Sequence, residues 1–311
     1  MKKISFLLLF CALVFAQIRA EIARGTWGNG FSWEISNDSV LTVSGAGEMP
    51  VLSRQDLPVG EEPYTGGEIN PIYPHFAGVT TTTPWYAHRK AVKQIVLQAG
   101  ITSIAEYAFY KCKNLSGIQI PSSVTKIKEG AFGDCNGLQA IMFPSSVTSI
   151  GDDAFNFCSG LTRLTIPMSV KVIGHRAFLG CSNLANLTLA EGIETINSEA
   201  FRGLPLTSIT IPASVKYIGN GVFNDCHALV NITVAGKTPA GIGADVWNYL
   251  LTANGASGEY PEFYRDAYSE AGWDLTKGVG KTALYVVPTG AAATYKKTVE
   301  WNKFFSTSAP I

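Results

Sequence analysis

Residues 147–167 read VTSIGDDAFNFCSGLTRLTIP, and this stretch decides the fold. Ala154-Phe155 recurs as Ala108-Phe109, Ala131-Phe132, Ala177-Phe178 and Ala200-Phe201, always 23 residues apart, and then as Val222-Phe223, 22 further on. Five residues before each phenylalanine stands Ile104, Ile127, Ile150, Ile173, Ile196 or Ile218. Three residues after it stands Cys112, Cys135, Cys158, Cys181, Leu204 or Cys226. Within one period, Leu164 and Ile166 alternate with Arg163 and Thr165, as a half-buried strand requires. Pro167 ends that strand because proline cannot donate to a ladder. Val170 and Ile173 mark a second extended piece, and 174–178 predicts a tight helical turn. One such period cannot bury its own apolar side, whereas neighbours stacked at about 4.8 Å can. The missing residue near Leu204 falls in the return loop, where a stacked coil tolerates it best. Gly151, Gly174 and Gly219 share a column with Ala105, Lys128 and Asn197, so a left-handed backbone there is allowed but not compulsory.

The repeat predicts four segments. Residues 1–20 read as a secretory signal: Lys2-Lys3, about twelve apolar residues, then small residues, with cleavage after Ala16 or Ala20. The apolar run is too short to span a bilayer, which needs about twenty residues. Residues 21–92 form an N-terminal cap. Phe31, Trp33 and Ile35, a turn at Asn37-Asp38, then Leu41 and Val43 make a β-hairpin, followed by a long loop from Glu48 to Pro84 and a short helix from Trp85 to Val92. Residues 93–236 form a solenoid of about six turns. Residues 237–311 hold an interrupted last repeat, with an insertion from Asn248 to Lys281, a strand at Leu284 to Pro288 and a capping helix from Ala291 to Phe304. All six tryptophans lie outside the regular turns, as expected of caps with large irregular buried surfaces.

Several function classes drop out on composition. The 24 basic and 24 acidic side chains cancel, and removing the signal leaves 21 basic against 24 acidic residues. A mildly acidic chain with 15% charged residues, against about 25% in an average soluble protein, is no nucleic-acid binder. No GxSxG, HExxH, phosphate-binding or calcium-binding loop occurs, so neither an enzyme nor a cofactor or metal site is expected. Cys226-His227 reads as an inward thiol beside an outward ring, His175-Arg176 as an exposed turn and Asp152-Asp153 as one acidic turn among six. The five cysteines after the signal share one inward column with Leu204, an odd number that cannot all pair. Parallel stacking holds their Cβ atoms farther apart than the mean of about 3.8 Å in a disulfide. Five reduced, buried thiols are predicted.

The outward strand positions form two columns. One holds Gly117, Ala140, Arg163, Asn186, Ser208 and Asn231, and the other Gln119, Met142, Thr165, Thr188, Thr210 and Thr233. Threonine suits strands, so the ladder either stabilises the sheet or offers hydroxyls and amides to a protein or glycan. On the second reading Gln119, Met142, Arg163, Thr165, Asn186, Thr188, Thr210, Asn231 and Thr233 are the partner-binding residues. Aromatic anchors lie elsewhere, at Tyr107, Tyr110, Phe157 and Tyr217, and the two insertions compete as binding sites.

The stretch Val147–Pro167 resembles the BspA-type bacterial surface leucine-rich repeat. Residues 25–28, 41–50 and 84–86 resemble that family's N-terminal segment, and 284–288 with Tyr295 and Trp301 its C-terminal one. The resemblance implies a right-handed leucine-rich-repeat superhelix with a parallel sheet on its concave face, on an exported bacterial protein. It also implies an adhesin-like role, with a host matrix protein or other extracellular protein or a glycan as partner of a monomeric chain. The chain shows no wall-sorting signal or lipid anchor, which leaves a periplasmic or envelope scaffold as the alternative.

Overall fold

A computed structural model describes residues 21–50, 83–242, 284–287, 291 and 294, apart from Asn29 and Pro239. The signal, most of both insertions and nearly all of the expected C-terminal helix lie outside the described residues. The core of the fold is a β-solenoid of about six turns. Its columns are the ones the period predicts: the six isoleucines, the alanines or valine before each phenylalanine, the six phenylalanines and the cysteine column are all buried. The phenylalanine rings form one continuous stack from Phe109 to Phe223.

Three ladders join the coils. The first is an unbroken eight-stranded parallel sheet of short strands: Gly47–Glu48, Ile101–Ile104, Lys126–Ile127, Ser149–Ile150, Val172–Ile173, Thr195–Ile196, Tyr217–Ile218 and Gly241–Ile242. The second is the face of longer strands, expected to be one continuous sheet, and it is divided. Gln94–Leu97 and Gly117–Gln119 belong to a five-stranded sheet shared with the cap. Among the described residues Arg163–Ile166 pairs only with Asn186–Leu189. Ser208–Ile211, Asn231–Val234 and Leu284–Val286 form a third sheet. One division falls at residues 139–143, which form no strand. The other falls between Leu189 and Ser208, in the coil shortened at Leu204. The isoleucine ladder keeps its register across the same coil, with Ile196 opposite Ile218.

The third ladder replaces the expected helical turns. Around each of the six stacked phenylalanines, the residues two before and two after it have left-handed backbones, at Tyr107 and Lys111 and on through Asp153 and Phe157, Arg176 and Gly180, to Gly221 and Asp225. Alternation of this kind turns every second N–H toward the next coil. Phe109 donates to Ala131, Phe132 to Ala154, Phe155 to Ala177, Phe178 to Ala200 and Phe201 to Val222, at 2.8–3.1 Å. The flanking left-handed residues donate in the same direction, as Tyr107 does to Glu129 and Lys111 to Gly133. A left-handed L-residue costs about 1–2 kcal/mol, and three bonds per coil interface, each worth about 0.5–1.5 kcal/mol, offset it. Two glycines in this set also solve a packing problem. A Cβ on Gly130 would enter the Tyr107 ring, and one on Gly180 would lie 2.6 Å from the Phe157 ring. Gly151, Gly174 and Gly219 are not left-handed; a Cβ on any of them would meet the backbone of the preceding coil. They serve close approach.

The cap is larger than a hairpin. Phe31–Ser36 and Val40–Ser44 pair antiparallel around the expected turn, and Glu21–Trp27 adds a third antiparallel strand. Val40–Ser44 then pairs parallel with Gln94–Leu97, which hands the sheet to the solenoid. Trp27, Trp33 and Trp85 cluster edge-to-face beneath it, all buried. The expected helix over 85–92 is reduced to one 3-10 turn, Tyr86–His88. Among the described residues no helix is long and apolar enough to cross a membrane.

Candidate functional site

The divided sheet sets where the predicted binding residues stand. Arg163 lies opposite Asn186, and Thr165 opposite Thr188, on one two-stranded piece. Thr210 lies opposite Thr233, and Asn231 opposite Ser208, on the next. Gln119 is on the last strand of the cap sheet, and Met142 is in the segment without a strand, its side chain 86% exposed. All nine point away from the core, and only Thr233 is half-buried. Arg163 is their one charged member. The face is therefore uncharged for most of its length and rich in hydroxyl and amide groups, laid out on three separate sheets.

This face continues into the cap, which the sequence alone did not reveal. Gln119 pairs beside Val96, Val96 beside Thr42 and Thr42 beside Glu34. The alternation of 32 and 34, and of 42 and 44, around the hairpin carried the signal for it. The third strand, Glu21–Trp27, has no comparably regular alternation of apolar residues.

Other side chains singled out in the sequence make contacts within the solenoid. Cys112, Cys135, Cys158, Cys181 and Cys226 are free and buried. Burial pushes the Cys112 and Cys226 thiols up to about 12. Four thiols donate to the carbonyl of the phenylalanine one coil back: Cys135 to Phe109, Cys158 to Phe132, Cys181 to Phe155 and Cys226 to Phe201, at 3.1–3.2 Å. Cys226 thus turns away from any role with His227, whose side chain is half-buried; burial lowers its pKa. Arg176 is half-buried too, contrary to the exposed turn expected. Its Nε lies 2.7 Å from Glu199, which also pairs with Arg202 at 3.0 Å, and Arg202 reaches Asp225 at 2.8 Å. That chain clasps three successive coils. Asp152 and Asp153 diverge: Asp152 accepts the His175 N–H at 2.7 Å at the surface, while Asp153 is buried. Burial pushes the Asp153 carboxyl up to about 7, Arg176 opposing and Glu129, Asp152 and Glu199 adding to it. Of the aromatics expected outside the ladder, Tyr110 is buried, Tyr107 and Phe157 are half-buried, and Tyr217 is 42% exposed.

The profile of the BspA type leucine-rich repeat region matches this chain in six copies, over residues 85–201 and 150–240. A search of curated proteins finds no match. Among solved structures the chain is similar to a leucine-rich repeat protein from Eubacterium ventriosum, at 24% identity, covering 70% of this chain and 75% of that one, with a TM-score of 0.33. It is similar to a leucine rich cell surface protein from Faecalibacterium prausnitzii, at 25% identity over 68% and 54% of the two chains, TM-score 0.42. It is also similar to the pneumococcal vaccine antigen PcpA, at 22% identity over 70% and 50%, TM-score 0.41. The chain spans about half the length of the last two.

Proposed function

The chain belongs to the BspA-type leucine-rich-repeat family, and from that membership and its exposed strand face we propose that it is an exported, non-catalytic protein that binds a macromolecule. The partner is an extracellular or host protein, and the role is adhesion or host interaction at the cell surface. The observation that carries this reading is the outward face itself. Arg163, Thr165, Asn186 and Thr188 stand in register on rigid strands, exposed, with no core task left to them. The paired strands set the backbone positions before binding, so only side-chain freedom is left to be lost, and that loss is small for threonine.

The test is a solution-binding screen of the secreted chain against extracellular-matrix proteins. A partner is expected whose binding weakens at least tenfold in Thr188→Glu, which places an unpaired charge in the middle of the face. No partner in such a screen, or a partner indifferent to Thr188→Glu, would sink the reading.

A second reading is supported by the same register. Thr165 beside Thr188 and Thr210 beside Thr233 are cross-strand pairs of the kind that stabilise sheets, about 0.2–1 kcal/mol each. On that reading the chain is an envelope scaffold. Protease accessibility on intact cells separates the two, because a scaffold kept in the periplasm stays protected.

A further inference from the structure

The cap sheet carries an open groove of about 600 Å³, within the range of about 300–1,000 Å³ typical of small-ligand clefts. Its polar lining follows from the strand register. Arg24 lies beside Glu34 and Glu34 beside Thr42, giving one row across three strands. Thr26 lies beside Ser32 and Ser32 beside Ser44, giving a second row two residues along. Strand spacing and rise place these six groups on a grid about 10 Å across the strands and about 7 Å along them.

We propose that this groove is a binding site for a neutral saccharide, of about disaccharide size. Four of the six side chains are hydroxyls, able to donate and accept. Glu34 accepts from two adjacent sugar hydroxyls, and Arg24 beside it donates to sugar oxygens. The two charges cancel, so the groove favours neither an anion nor a cation. A protein partner fits less well. Protein hot spots rest on buried aromatic or apolar anchors, yet Trp33, the one large apolar residue along the groove, is 7% exposed and faces the core. Of the exposed large hydrophobic side chains among the described residues, Met142, Met168, Val172 and Tyr217 lie on the solenoid coils, and Ile22, on the first cap strand, is not among the residues lining the groove. The groove is built on three hydrogen-bonded strands, so the backbone positions from which its groups project are set before a ligand arrives. It shares the outward face with the threonine ladder but none of its residues, and the inference goes beyond the function proposed above.

The experiment is saturation-transfer NMR and titration of the secreted chain with a panel of neutral di- and trisaccharides, and in parallel with a library of short neutral peptides. At least one saccharide is expected to bind, at least fivefold more weakly to Glu34→Gln and to Arg24→Gln, and unchanged to Thr188→Glu. These substitutions are at exposed positions, and an unaltered thermal transition checks that the sheet is intact. Thr26→Val is the further variant should either one unfold. No saccharide bound, binding indifferent to the groove variants, or binding of peptides in place of saccharides overturns the proposal. Loss of protein-partner binding in Thr188→Glu bears only on the ladder.

Discussion

Trp85 donates its indole N–H to the carbonyl of Ala108 at 2.8 Å while its ring stacks on Phe109, centroids 5.7 Å apart and planes 17° from parallel. It occupies the place of a phenylalanine one coil before the first. The turn ladder is polar: each coil's N–H groups point to the next coil and its carbonyls to the one before. The first coil would therefore present buried carbonyls to the cap, and Trp85 meets one of them while covering the end of the ring stack. Trp85→Phe keeps the stack and strands the acceptor, which should cost about 1–3 kcal/mol in urea denaturation. A change under about 0.5 kcal/mol would show that the indole N–H does not cap the ladder.

The ring stack is tightest in the middle. Phe132–Phe155 and Phe155–Phe178 centroids are 5.0 and 5.3 Å apart, whereas the two contacts of Phe201 are 5.9 and 5.8 Å. Phe155→Ala should cost about 3–5 kcal/mol. Phe201→Ala, in the coil shortened at Leu204, should cost less. Equilibrium denaturation of both variants checks the order, and a Phe155→Ala cost below about 1 kcal/mol contradicts the stacked core.

Gly174 lies against the preceding coil, where an added Cβ would be 2.5 Å from the Asp152 nitrogen. Gly241 has no such neighbour, its nearest atom being the Lys216 carbonyl oxygen at 3.6 Å. Gly174→Ala should lower stability by about 1–3 kcal/mol, as overpacking does. Gly241→Ala should be neutral or gain about 0.4–1 kcal/mol from a stiffer unfolded chain. Equal effects on the thermal midpoint would contradict this contrast.

The Asp153 carboxyl titrates near 7 in the folded chain, against about 3.9 unfolded. Below pH 4 both states hold the proton and nothing is lost. Between about pH 4 and 7 the folded state binds the extra proton, so stability falls as pH rises, by up to about 1.4 kcal/mol per unit. Above pH 7 the loss is complete. Asp153→Asn should remove this slope and be the more stable protein at pH 8. Urea midpoints of both proteins from pH 4 to 8 measure it, and parallel curves would refute it.

Five thiols should react with a disulfide reagent in the denatured, unreduced chain, and reaction in the native chain should be slow, because all five are buried. Fewer than five in the denatured chain would mean that coils are cross-linked.

Each period of the sequence by itself determined the coil. The isoleucine, alanine, phenylalanine and cysteine columns are legible because burial is written locally, residue by residue, and repeated. The hairpin turn at Asn37-Asp38 and the strand resuming at Leu284 were legible for the same reason. Three features were decided only by the tertiary structure. Tyr107, Phe157, Arg176 and Glu199 take left-handed backbones against their own preference, because hydrogen bonds to the next coil hold them there. The outward face breaks into pieces at residues 139–143 and between Leu189 and Ser208, because strand pairing is a relation between coils that no single coil contains. The cap groove arises from three strands whose pairing brings Arg24, Glu34 and Thr42 side by side. Inward pattern is a property of one coil, but backbone handedness, sheet continuity and the sites on them depend on how neighbouring strands meet.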